Sequence, residues 1–132
     1  MRRHVVVLLL AGTFAAATPG YAHHSFAATY LEDQSVTIEG ELVQVEFRNP
    51  HSFVRVNVKE KDGTMTVYSV EWGGTGQLAG QGVTRDTFKV GDHLIITGSP
   101  GRTAADHRVR MVRLRRPADG FEWGAKATET VN

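Results

Sequence analysis

The chain contains no cysteine, and only four prolines and two tryptophans among its 132 residues. Without cysteine there can be no disulfide, no thiolate metal site and no cysteine nucleophile, so a core of side chains alone must hold the fold. Charge of one sign is also missing: 15 Lys+Arg stand against 14 Asp+Glu, a formal net charge of +1. That balance argues against a dedicated nucleic-acid binder, which would carry a strongly basic face. There is no internal repeat and no low-complexity tract. No His-Glu-x-x-His motif occurs and no serine lies in a nucleophile-elbow context, so hydrolase chemistry lacks an obvious nucleophile. An enzyme is therefore a lesser expectation than a binding protein.

The one marked apolar run lies at the start. Arg2 and Arg3 precede Val5 to Ala17, which is apolar apart from Gly12 and Thr13; Thr18, Pro19 and Gly20 follow. Gly20 and Ala22 put small residues three before and one before a cut after Ala22. This order is that of a cleavable secretory signal, predicted over residues 1–22. The run is shorter than the roughly 20 residues a membrane span needs, although an uncleaved N-terminal anchor is the alternative. The expectation is an exported protein, periplasmic or secreted, with no transmembrane segment in the mature chain. Losing Arg2 and Arg3 leaves the acidic residues one in excess. The remainder is the size of one domain. It reads as a lead segment over 23–35, a β-domain over 36–124 and a tail over 125–132 without packing signal.

Five strand signals lie in the β-domain. The first, Val36 to Phe47, has Val36, Ile38 and Leu42 in one phase and Val43, Val45 and Phe47 in the other, with Gly40 between. A phase flip within one strand predicts a bulge or sharp bend. Asn49-Pro50 ends it. The second strand, His51 to Lys59, alternates Val54, Val56 and Val58 against polar residues, and Asp62-Gly63 supplies a hairpin turn. The third runs from Met65 to Trp72. The glycine-rich stretch from Gly73 to Gly82 leaves room for a short helix around Gln77 to Ala79. Thr84 to Thr87 reads as a capped turn with Thr84 as N-cap and Phe88 reaching the core. The fourth strand, His93 to Thr97, is expected to close at Gly98-Ser99-Pro100-Gly101. The fifth, Arg108 to Leu114, again changes phase. Five strands, a long bent first strand and a helical insert between the third and fourth predict an all-β fold: a small closed barrel of the OB type, with a small open sandwich as the rival.

Four groups of residues are candidates for function. Cleavage after Ala22 would make His23 the N-terminal residue, whose α-amine and imidazole could chelate one metal ion. With His24 and His51 as further donors, a nitrogen-rich site of this kind suits copper before zinc; His93 and His107 are weaker donors. The bland alternative is a pair of solvated histidines at a chain end. The second group is Glu46, Asn49 and His51 around the first corner, with Glu71 joining if the third strand pairs with the second. It would serve as a metal-ligand or acid/base cluster, or else as an ordinary polar corner. Third, Arg108, Arg110, Arg113, Arg115 and Arg116 could grip a partner protein or an anionic glycan, or simply solvate a strand. Fourth, Trp72 beside the glycine-rich stretch is the aromatic best placed to face a ligand, although core packing is the commoner role for Tyr68, Trp72, Phe121 and Trp123.

Several of these residues occur in an ordered set: His23-His24-Ser25-Phe26-Ala27, Val45-Glu46-Phe47 with Asn49-Pro50-His51, Val70-Glu71, Thr84 to Lys89, Gly91-Asp92, and Gly98. In this the chain resembles a family of small exported bacterial proteins catalogued as a domain of unknown function, number 6152. Phe47 and Gly73-Gly74 stand where that family more often has tryptophan and a Ser-Pro turn. The resemblance implies no activity, cofactor or partner. It directs attention to His23, His24, Glu46, Asn49, His51, Glu71, Arg85 and Asp86.

Overall fold

The computed structural model describes residues 26–124. The signal and tail regions, with His23 and His24, lie outside the described residues. A helical turn over 26–29 leads into six strands: β1 (Val36–Glu46), β2 (Phe53–Lys59), β3 (Met65–Glu71), β4 (His93–Pro100), β5 (Arg108–Arg116) and β6 (Phe121–Gly124). The short helix α1 (Thr75–Gly80) lies between β3 and β4, and a 3-10 turn (Ala104–Asp106) between β4 and β5.

Antiparallel ladders join β3 to β2, β2 to β1, β1 to β4 and β4 to β5, and a parallel seam of β3 against β5 closes the ring. The result is the expected mostly-β architecture, a closed five-strand mixed barrel with a short helix between β3 and β4, in the connectivity of an OB barrel. Closure removes the free edges that an open sandwich would leave. The core is the inward set of every strand, among them Leu42, Val56, Val70, Leu94, Ile96 and Leu114, each nearly or wholly buried.

Both phase flips are bulges. On β1 the register slips between Leu42 and Gln44, so Val43 is the additional residue and points outward, while Val45 and Phe47 pack against the core on the far side of the slip. On β5, Met111 pairs with Gly98 and Arg113 with Thr97. Val112 is the additional residue there and is likewise exposed, between buried Met111 and Leu114. Each bulge bends a strand and lets a few strands close.

Three expectations need correction. β4 does not stop at Thr97: it runs to Pro100, with Gly98 inside it, because a Cβ at Gly98 would collide with the Arg110 carbonyl oxygen across the ladder. Gly98 is a close-approach residue, not a turn residue. Thr84 does not cap with its side chain; its backbone N–H donates instead to Thr87 Oγ1 at 2.9 Å. A sixth strand is present, β6, which pairs with β5 from Arg113 to Arg116 after a turn at Gly120, whose φ is +74°. Phe121 and Trp123 on it pack onto the core from outside the ring.

The hairpin at Asp62-Gly63 forms as expected, with Gly63 at φ +88° and Asp62 accepting from the Thr64 amide at 2.9 Å. Phe88 reaches the core. The lead residues lie along the barrel wall: the Leu31 amide donates to the Pro100 carbonyl at 2.9 Å, and Tyr30 bridges to Gly101. No helix among the described residues is long and apolar enough to cross a membrane.

Candidate functional site

The β1–β2 corner carries Asn49, Pro50, His51 and Ser52. Ser52 is fully buried and fixes the corner. Its amide donates to the Gly73 carbonyl at 3.0 Å, its carbonyl accepts from the Trp72 amide at 2.8 Å, and its hydroxyl bridges the Arg48 amide and carbonyl. The Asn49–Pro50 peptide is cis. Asn49 does not close its own turn. Its Oδ1 accepts from the Thr75 amide and hydroxyl, both at 3.0 Å, and so caps α1 from a distant part of the chain. Gly74 is the residue that lets this corner and α1 meet, since a Cβ there would press on Asn49 Oδ1 and the Pro50 carbonyl.

Held in this way, His51 lies beside the end of β3. Its Nδ1 is 2.5 Å from Glu71 Oε1, and the second carboxylate oxygen, Oε2, accepts from the Tyr30 hydroxyl. Against an ionised Glu71 taking two donors, a neutral His51 ring carries its hydrogen on Nδ1 and leaves Nε2 as the nitrogen available to another partner. The Glu71 side chain is 11% exposed and that of His51 33%, so the inner partner is screened while the ring reaches solvent. Burial, and then the hydrogen bond to Glu71, push the Tyr30 phenol well above its ordinary pKa. Arg108 Nη2 stands 4.0 Å from Glu71 Oε2 and supplies the nearest positive charge. Phe26 stacks on the His51 ring, 5.2 Å between centroids and 15° between planes. The Arg110 guanidinium in turn covers Phe26 at 3.8 Å.

The cluster opens on a cavity of about 290 Å³, whose walls include Phe26, His51, Glu71, Trp72, Arg110 and Trp123. Trp72 is buried, packed edge-on against Phe88 and Trp123. It therefore combines the two roles that seemed alternatives, as a core residue that also forms a cavity wall.

The other candidates are dispersed. Glu46 does not converge with His51; it faces Arg55 at 3.4 Å and Arg48 at 4.0 Å. Arg85 and Asp86 are exposed in the loop between α1 and β4 and do not line the cavity beside His51. The arginines of β5 are not a free row. Arg110 pairs with Glu32 at 2.6 Å, and Arg113 and Arg115 share Glu122 at 3.2 Å each. Arg116 holds Asp92 at 2.9 Å and Asp119 at 2.7 Å. Among the described residues no three histidine, aspartate or glutamate side chains gather as a metal cluster. Tyr30 and Phe26 are the site residues that sequence reasoning did not single out. The only signal for Tyr30 was an aromatic hydroxyl in a lead of mixed polar and apolar residues.

Residues 11–110 match the model of a family described as a family of unknown function (DUF6152). No curated protein matches the chain.

Proposed function

We propose that this chain, which belongs to that family of unknown function, is an exported binding protein whose working group is His51. The occupant is a transition metal, copper before zinc, held by His51 Nε2 together with His23 and His24 of the lead. The observation that carries the reading is the ordered set Tyr30–Glu71–His51. Protein-bound metals are regularly held by imidazoles whose other nitrogen donates to a carboxylate, which fixes the tautomer and raises the basicity of the ligand. Phe26 stacked on His51 supports the participation of the lead, since covalent geometry keeps His23 within about 11 Å of Phe26, Cα to Cα. Processing after Ala22 would add the α-amine of His23 as a further nitrogen donor.

Titration of correctly processed protein with Cu(II), followed by calorimetry and electron paramagnetic resonance, tests this. One equivalent should bind with nitrogen hyperfine structure. Affinity should fall at least tenfold in Glu71→Gln, the usual effect of removing an orienting carboxylate, and further in His51→Ala. Since imidazole donors must be neutral, binding should weaken below about pH 6. Absence of binding, or binding indifferent to His51→Ala, refutes the reading.

A second reading is an interaction module for a partner protein or an anionic glycan, and one observation favours the glycan. A groove of about 590 Å³ has Tyr68, His107, Lys59, Lys61, Arg102 and Arg108 on its walls, the cations outnumbering Glu39 and Glu60. Aromatic and cationic groups together suit a sulfated or carboxylated sugar. Binding to immobilised heparin that falls steeply with salt and is lost in Lys59→Glu/Lys61→Glu would support it; elution at the ionic strength of an unrelated neutral protein would refute it.

A further inference from the structure

The seam that closes the ring covers only one end of β3. On one side β3 pairs with β2 over its whole length, Met65–Glu71. On the other, β5 reaches only Ser69, Val70 and Glu71. The Ser69 amide donates across that seam to the His107 carbonyl at 2.9 Å. Backbone groups alternate sides along a strand, so those of Met65 and Val67 share the direction of Ser69 and point away from β2. Neither finds a backbone partner there among the described residues. Residues 64–69 contain no charged residue and no proline, the devices that usually guard an open edge. The Met65 and Val67 side chains are 56% and 49% exposed.

The groove of about 590 Å³ lies between the β2–β3 hairpin and the β4–β5 linker, and Lys61 and Arg102 stand on its walls. Tyr68 and His107 meet edge-on at 5.3 Å between centroids, where the seam begins. The charges of the groove are unequally engaged. Glu60 accepts from the Tyr68 hydroxyl at 3.0 Å, and Glu39 pairs with His93 at 2.7 Å. Lys59, Lys61 and Arg102 make no ion pair among the described residues. Arg102 gives its Nε hydrogen to the Ala27 carbonyl and keeps its terminal N–H groups. Lys59 stands opposite Met65 in the ladder, beside the open edge.

We propose that β3 accepts an extended acidic segment of a partner protein as an added strand beside residues 65–68. The backbones of Met65 and Val67 supply its hydrogen bonds, and Lys59, Lys61 and Arg102 take its carboxylates. A second copy of the chain fits less well, because a two-fold pairing of β3 with β3 would bring the same cations together. A glycan would use the cations but not the strand edge. The proposal therefore rests on neither the copper nor the glycan reading and fails separately from both.

The probe is a short capped peptide alternating valine and glutamate, titrated into isotopically labelled protein and followed by proton–nitrogen correlation NMR and amide hydrogen exchange. The Met65 and Val67 amides should shift saturably and gain protection, while those of Thr66 and Tyr68, directed at β2, keep theirs. A peptide with lysine for glutamate should bind at least about tenfold more weakly, and Lys61→Glu/Arg102→Glu should weaken the glutamate peptide by a similar factor. Proline at the centre of the peptide should abolish the protection. In the protein, Val67→Pro removes an edge donor without breaking a rung to β2. Checked for folded signal dispersion, it should weaken the peptide at least about tenfold and leave any retention on heparin unchanged. Unaltered exchange at Met65 and Val67 with millimolar peptide overturns the proposal, as do shifts confined to Lys61 and Arg102, which report charge alone. A dimer in sedimentation that protects the same two amides without peptide also overturns it, since the edge would then belong to a second copy.

Discussion

Tyr30 is a residue whose environment can be tested without knowing any ligand. Its phenol keeps its proton to higher pH in the folded state than in the unfolded chain, where tyrosine titrates near 10. The unfolded state therefore releases that proton first, so the contribution is complete below about pH 10 and declines as pH rises beyond it. Stability measured by urea denaturation should fall above pH 10, and Tyr30→Phe should flatten that fall. The same variant should lower stability at neutral pH by about 1–3 kcal/mol, because Glu71 loses a buried donor; an unchanged alkaline profile would contradict the assignment. Gly98→Ala should cost about 1–3 kcal/mol through the collision with the Arg110 carbonyl, read as a lower denaturation midpoint at constant slope. A close approach of this kind is hard to read in advance. The Gly-Ser-Pro-Gly string has turn composition, and only the partner strand reveals that Gly98 belongs to a ladder.

At the scale of elements, the bulges were legible and their tips were not. The switch from Leu42 to Val45 and Phe47, and from Met111 to Leu114, changes the inward phase, which a pleated strand can do only by inserting a residue. Which residue is inserted depends on pairing, so Val43, which shares the phase of Val45 and Phe47 in the sequence, stands outward, as does Val112. β6 was illegible because four residues give too short an alternation to separate a strand from packed aromatics. Arg116 ties three elements together: the end of β5, the Thr87–Asp92 loop and the turn into β6. Arg116→Met should leave the Thr87 carbonyl without its donor and Asp92 with the Lys89 amide alone, and cost about 1–3 kcal/mol in thermal or urea unfolding. Asp119, held below its ordinary pKa by the hydrogen bond from Arg116, adds stability above about pH 4 that is lost as pH falls. Wild type should therefore lose more stability than Arg116→Met on acidification.

For the molecule as a whole, the barrel follows from local signals in sequence order, namely a bent first strand, a tight hairpin, a glycine-rich insert and two further strands. The candidate site does not. It assembles residues from the lead, the first corner and the end of β3, and its pairing of Tyr30 with Glu71 spans 41 positions. No periodicity reports such a contact. His51 and Glu71 could be suspected because a second–third strand ladder would bring them together, as the Phe53–Glu71 register does. The ring closes through the fewest rungs: three pairs join β3 to β5, against seven between β2 and β3. Hydrogen exchange should find the amides of this seam opening at lower free energy than those in the centres of β1 and β4; uniform protection around the ring would contradict that.

Glu71 is also the last rung of that seam, paired in register with Arg110. The groups around the cavity thus come from both lips of the closure, with Arg110 on one side and Glu71 and Trp72 on the other. Opening the barrel separates them and releases whatever they hold. An occupant therefore opposes opening by mass action. Where proteases are present, attack on a chain without disulfides passes through such opened forms. Empty copies would be degraded ahead of filled ones, so the lifetime of the protein would record whether its site is in use.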